Sequence, residues 1–280
     1  MIELLKRIRA LKPATKWAII LGMGLVAVGI VSSLNPVPQP QSYHNFADKR
    51  SILDVPNGMD VLSNLPFMVV GLWGLCLVVM RRAALDRREL WAYFTLFVGL
   101  VLTGLGSGYY HLAPDNQRLV FDRLPMTVAM AGFISVLLID RFGPKTIWAL
   151  PVVAATGLGS VLQWALSEQH GHGDLRWYAL YQGMIMLFAA ALLLLFWSRT
   201  SSSGAFATAA IANLAAKLFE VMDRQIYQVG GIVSGHTLKH LSASLGFLPL
   251  VFLIRGNSKW QIANGNWQIA KQKFFAADLR

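Results

Sequence analysis

The sequence predicts an all-α integral membrane protein, a helical bundle of eight spans. Three observations predict it. Hydrophobic residues make up 55% of the 280-residue chain and charged residues only 14%, with a mean hydropathy of +0.49; a soluble domain carries about 25% charged residues. Apolar runs of bilayer-crossing length recur eight times, near 17–34, 58–80, 90–111, 124–140, 146–166, 177–197, 205–222 and 236–254. The links between them are short and carry breakers or charge: "RRAALDRRE", "APDNQRL", "RFGPK", "SEQHGHGDLR" and "SRTSSSG". Length therefore bounds the number of spans rather than the number of soluble domains.

Taken in order, residues 1–34 form a basic N-terminus and an anchor span. A basic start before an apolar stretch also fits a signal peptide, but 17–34 is long for one and no clear A-x-A site follows, so an uncleaved anchor is expected. Residues 35–57, with "NPVPQPQ", form an irregular loop. Residues 58–254 hold the other seven spans, and 255–280 form a tail. With the N-terminus in the cytoplasm, 17 of the 25 Lys and Arg residues fall on the cytoplasmic side, so both termini are expected inside and the 35–57 loop outside. The same rule accounts for the net charge of +11 without a nucleic-acid partner. One cysteine, Cys76, excludes an intrachain disulfide framework and a thiolate metal site. In the tail, "WQIANGNWQIAKQKFF" repeats WQIA seven residues apart and, with Lys271 and Lys273, suits an amphipathic segment on the inner leaflet as well as a disordered one.

In this topology His236 and His240 lie near the outer end of the last span, His111 at the outer end of the third, and Asp122 just before the fourth. Residues distant in sequence thus arrive at one depth, on a side fixed by Lys and Arg alone. His236 and His240, in "SGHTLKHLSAS", are spaced i, i+4, which puts both rings on one helix face and suits two ligands of one tetrahedral zinc. A catalytic zinc takes three protein ligands and leaves one position open, and His111 is the natural third. Ser107 shares a helix face with His111. The plain alternative is a pair of interfacial histidines bonded to headgroups. Ionisable groups inside membranes are costly and mark function, so a metal site is the stronger reading. His170 and His172 belong to a solvated loop; the role of His44 is open.

The stretches "GSGYYHLAPDNQRLVFDRLPM" and "GHTLKHLSAS" resemble the alkaline ceramidase family, part of a wider group of seven-span hydrolases that includes the adiponectin-receptor-like proteins. The shared pattern is Ser-x-x-x-His, an Asp about ten residues on, and His-x-x-x-His in the last span: Ser107, His111, Asp122, His236 and His240. "DVLSNLPFMVVG" looks like the family's first span, with its Ser63–Asn64 pair. The resemblance covers roughly 43–254 and implies a seven-span bundle of ceramidase type, here with one extra N-terminal span. It also implies the chemistry: Zn2+ on His111, His236 and His240 activating water, Asp122 as general base and then acid, Ser107 as a donor to the carbonyl oxygen, and a ceramide-type membrane lipid as substrate. Animal ceramidases bind Ca2+ through an acid-rich stretch before their first span. The counterpart here keeps Asn45, Asp48, Asp54, Asn57 and Asp60 but adds Lys49 and Arg50, which weakens its attraction for calcium; a folded outer loop capping the site is the plainer expectation.

In "AKLFEVMDRQIYQ", Lys217 and Glu220 can neutralise each other, and an acidic group there could instead orient a zinc ligand. Lys239 is expected on another face than the two histidines, snorkelling to headgroups. Trp73, Trp91, Trp148, Trp164, Trp177 and Trp197 read as interface anchors. No Gly-x-Ser-x-Gly elbow argues for a serine lipase. A lipid ester hydrolase on the same scaffold and a non-enzymatic receptor-like protein with structural zinc are the competing functions. A transporter ranks last, since the sequence shows no internal repeat.

Overall fold

A computed structural model describes residues 2–198 and 201–256; the tail from 257 on, with the WQIA repeat, lies outside them. Among the described residues, eight helical units are long and apolar enough to cross a membrane: Pro13–Ser33, Gly58–Met80, Arg87–Leu112, Asn116–Phe142, Pro144–Gln169, Arg176–Leu195, Ser202–Val221 and Gly235–Ile254. The chain is an all-α, multi-pass integral membrane protein, and no strand occurs among the described residues.

The elements are α1 (Ile2–Ala10), α2 (Pro13–Ser33), α3 (Gly58–Leu62) and α4 (Leu65–Met80), α5 (Arg87–Leu112), α6 (Asn116–Phe142), α7 (Ala149–Gln169), α8 (Arg176–Leu195), α9 (Ser201–Val221), α10 (Asp223–Gly230), α11 (Gly235–Gly246) and α12 (Leu248–Gly256). Prolines mark the spans divided into two α-helices: Pro66 opens α4 and Pro249 opens α12, where each lacks the N–H that would continue the preceding helix. Polar caps set three other starts. Asp86 and Glu89 make a reciprocal capping box on α5, Asp115 accepts from Arg118 N on α6, and Ser234 accepts from Thr237 N on α11.

The Asp115 cap corrects one boundary that bears on function. Hydropathy starts the fourth span at 124, because "NQRLVFDR" is too polar to count. With its first turn capped, α6 begins at Asn116, and Asp122 lies inside the helix rather than before it. Past the seventh span, whose apolar run ends near 222, the amphipathic α10 is a helix of its own.

Lipid tails are as apolar as leucine, so close backbone approach rather than burial as such holds such bundles together. The α5–α6 pair shows how that sets the site. Pro125 deprives the Phe121 carbonyl of its usual helical donor. A Cβ on Gly106 would stand 1.9 Å from that Phe121 oxygen, so only glycine lets the two backbones meet there. Ser107 and Asp122 are the next residues on each helix. Gly235 does the same for α11, where a Cβ would lie 2.2 Å from Phe219 O; the residue after it is His236.

One end of the bundle is closed by residues 35–57, as the folded-cap reading expects. Gln41–His44 form a 3-10 turn, and Phe46 joins Tyr110, Leu119, Val161, Trp164 and Tyr178 in a small core beneath it. Trp164 is fully buried, so it is a core residue and not the interface anchor predicted; Trp73, Trp91, Trp148 and Trp197 are exposed, as anchors should be. The cap is latched at several points. Leu175 N donates to Val37 O at 2.8 Å, Arg224 donates to Asn45 O at 3.1 Å, and Arg50 donates to Ile232 O at 2.7 Å. Arg50 also forks onto Asp48 at 2.9 and 2.6 Å.

The candidate calcium-binding side chains are committed separately. Asp48 is taken by Arg50, Asn57 donates to His111 O at 2.9 Å, Asp60 accepts from Thr237 and Ser234, and Asp54 is exposed. Among the described residues, no three of these carboxylates are grouped to hold a metal ion.

Burial pushes the Asp48 carboxyl up, but the Arg50 hydrogen bonds and charge outweigh it and leave its pKa lowered. At Asp174 the Arg176 hydrogen bonds dominate and lower the pKa as well. A carboxyl lowered in the folded state stabilises it above the ordinary value near about 4, and that contribution is lost as pH falls through the lowered value. The cap is therefore expected to stay latched from neutral pH down to about 4 and to loosen only below. Amide hydrogen exchange of residues 46–52 across an acid series checks this; loosening between pH 7 and 5 would contradict it.

Candidate metal centre

His111 ends α5 on its last turn, and His236 and His240 share one face of α11. All three are buried, at 1%, 2% and 3% exposure. One nitrogen from each ring lies within 4.8 Å of the other two. The rings stand with centroids 4.7 Å apart for His111–His236, 5.0 Å for His111–His240 and 4.7 Å for His236–His240. His111 Nε2 and His236 Nε2 are 3.2 Å apart. Two nitrogens bound to one tetrahedral zinc would be about 3.3 Å apart at ordinary Zn–N distances, so the spacing fits shared ligation of one ion. Among the described residues this is the one group of three or more His, Cys, Asp or Glu side chains placed to hold a metal ion. The i, i+4 pairing and the choice of His111 as third member agree with the sequence reading.

A hydrogen bond sets the direction of the His240 ring. Ser63 Oγ is 2.8 Å from His240 Nδ1 and also donates to Asp60 O at 3.1 Å, which leaves His240 Nε2 for the cluster. Phe46 lies over the rings, its centroid 4.7 Å from His111 and 4.3 Å from His236. Asp223 accepts from His236 N at 2.8 Å and from Ala47 N at 2.9 Å, so one carboxylate ties the cap to the first turn of α11. At His240 the group bonded to the second ring nitrogen is thus Ser63, not the Lys217–Glu220 pair. Replacing Ser63 with Ala is expected to weaken metal binding about 10–100-fold, as loss of an outer partner does elsewhere. Competition against a chelator of known affinity measures it; an unchanged affinity would remove Ser63 from the site.

Ser107 and Asp122 are buried at 2% and 7% exposure. Both line a cavity of 330 Å³ that also touches His240 and Lys239, and the Ser107 hydroxyl neighbours the Asp122 carboxylate. Most of the rest of the wall is apolar, including Phe67, Leu100, Met126, Met130 and Phe247, with Thr103, Gln182 and Asn213 among its polar members. Ala179 and Gly183 on α8 and Lys217 on α9 belong to the wall and are themselves exposed, so the cavity opens sideways between those helices.

Two other residues, Lys239 and His44, differ from their sequence reading or complete it, and two more agree with it. Lys239 does not snorkel: its Nζ donates to Glu220 at 2.5 Å, beside Lys217, which donates to the same carboxylate at 2.8 Å. His44 bonds Tyr110 Oη and Asn116 Oδ1, each at 2.8 Å, and so pins the cap to α5 and α6. His170 and His172 are exposed, as expected of a solvated loop. The positioning residues Ser63 and Phe46 had no motif of their own as site residues, the Ser63–Asn64 pair carrying only a hint; Asp223 lies in the stretch "AKLFEVMDRQIYQ" already read as reaching the site.

Fold and site together define the class: a multi-pass membrane protein with a buried three-histidine cluster at one end of its bundle, close enough to hold a metal ion. No protein-family model matches the chain, and no curated protein matches it either.

Proposed function

We propose that this chain is a zinc-dependent intramembrane hydrolase of alkaline ceramidase type, cutting the amide of ceramide-type lipids into a sphingoid base and a fatty acid. One observation carries the reading: the three-histidine cluster reaches, through His240, the same largely apolar, laterally open cavity that Ser107 and Asp122 line. The cap end then faces the periplasm or lumen, as the Lys and Arg distribution requires.

His111, His236 and His240 would hold the metal; imidazole suits zinc among several transition metals. When bound, zinc supplies Lewis acidity that brings a coordinated water near neutral pKa and polarises a carbonyl. Asp122 takes a proton from the attacking water and returns it to the nitrogen of the breaking C–N bond, so that a neutral amine leaves. Ser107 donates to the carbonyl oxygen as it gains charge. The apolar wall holds the acyl chain, and its volume falls within the usual range for a ligand pocket, about 300–1,000 Å³. The opening between α8 and α9 suits a substrate that never leaves the bilayer. Phe46 and the cap shield the cluster from bulk water.

The test is metal analysis of purified protein together with hydrolysis of matched N-acyl and O-acyl lipids, with and without chelator. The expected result is one zinc per chain, amide cleavage, loss with chelator and recovery with zinc. Preferential ester cleavage would favour the lipid esterase. Stoichiometric zinc with no turnover would favour the receptor-like reading.

A further inference from the structure

Next to the acyl cavity lies a smaller chamber of 150 Å³, which shares Asp122, Lys217, Lys239 and Gln182 with it and adds Arg123, Tyr43 and Glu220. Its charges do not balance. Three cations, Arg123, Lys217 and Lys239, face two carboxylates, Asp122 and Glu220. Glu220 is fully engaged: it accepts from Lys239 at 2.5 Å, Lys217 at 2.8 Å and Tyr43 Oη at 3.0 Å. Burial and the neighbouring Glu220 hold the Tyr43 phenol well above its usual pKa, so it stays a neutral donor.

Arg123 is only 4% exposed and makes no ion pair among the described residues. Its Nη2 donates to Gln39 Oε1 at 2.6 Å, while Nη1 has no hydrogen-bond partner. Its guanidinium lies 4.2 Å from the Trp164 ring centroid, 4.8 Å from Tyr178 and 5.7 Å from Tyr43. Aromatic faces offset part of the charge, but a cation held inside a membrane bundle ordinarily has a counter-charge.

We infer that this chamber binds an anion, a carboxylate or phosphate, at the reacting end of an acyl lipid. Lys239 and Asp122 line both spaces, so an anion here sits beside the polar end of the cavity and away from the methyl end of a chain. Donors exceed acceptors in the chamber, which matches an acceptor-only group better than the hydroxyls of a neutral ceramide. The anion has two sources: a headgroup on the amine half of the substrate, or the carboxylate of the released fatty acid. This deepens the hydrolase reading and rests on it for turnover, though not for binding.

The experiment uses the full chain in detergent with matched lipids: N-oleoylglycine against N-oleoylethanolamine, ceramide 1-phosphate against ceramide, and oleate against oleyl alcohol. Rates are followed for the amides and thermal shift for binding of all six. Wild type is expected to favour the anionic member of a pair at least about tenfold, the scale of a charge-assisted contact. Lys217→Gln, at a half-exposed position, should cut that preference about tenfold, and Glu220→Gln should raise it. A preference confined to oleate assigns the anion to the product; one shown by the amides assigns it to the headgroup. Equal treatment of anionic and neutral partners, or equal effects of Lys217→Gln on both, overturns the inference and leaves the hydrolase standing. If no lipid is cleaved, the hydrolase reading fails, and the binding comparison alone decides the chamber.

Discussion

Asp122→Asn is expected to lower turnover of a ceramide-type amide by about 10²–10⁴-fold, the range for loss of a positioned general base, while zinc content stays at one per chain. Asn keeps the size of the side chain and its hydrogen bonding toward Ser107, so the α5–α6 contact at Gly106 and Phe121 has no reason to move. Asp122 is not a member of the histidine cluster, so metal retention follows from the geometry. What Asn cannot do is accept the proton of water and deliver it to nitrogen. The measurement pairs steady-state kinetics with metal analysis of the same preparation. Full activity in the variant would remove Asp122 from the chemistry. Loss of zinc along with activity would make it a structural support of the site.

The spans were legible because hydropathy over some twenty residues is a strong signal, and the depth of His111, His236 and His240 followed from counting residues along them. Their convergence needed only that α5 and α11 meet at the end where each histidine lies. Polar helix ends were harder. In α6 the residues from Asn116 to Arg123 read as a link because they are polar, yet the Asp115 cap and the cover of residues 35–57 give them partners. The same cover hides Trp164. An indole at the end of a span resembles an interface anchor unless the loop that buries it is known.

Lys239 shows the complementary limit. A lone lysine on a span snorkels by default, and only the tertiary approach of α9 brings Glu220 within 2.5 Å of it. Ser63 shows it again. A serine in an apolar span carries no mark of bonding to a histidine 177 positions away. Ligands can be read from spacing within a helix; the groups that aim them depend on contacts between helices, which spacing does not record.

Removing a ring from the cluster separates the two meanings of three buried histidines. His240→Ala is expected to drop zinc below about a tenth of an equivalent and turnover to background, since a site with two imidazoles no longer meets the three-ligand requirement of catalytic zinc. It also leaves Ser63 Oγ without its ring partner. In the wild type, chelation should lower thermal stability, and added zinc should restore it in proportion to the logarithm of its free concentration; in His240→Ala neither should act. A cluster held only by hydrogen bonds among neutral rings behaves otherwise. The wild type would then be indifferent to chelator, and His240→Ala would cost no more than one cavity and one lost hydrogen bond, about 1–5 kcal/mol. Thermal melts of both proteins across a zinc series therefore decide whether these imidazoles are ligands or merely neighbours, and they do so without any assumption about the substrate.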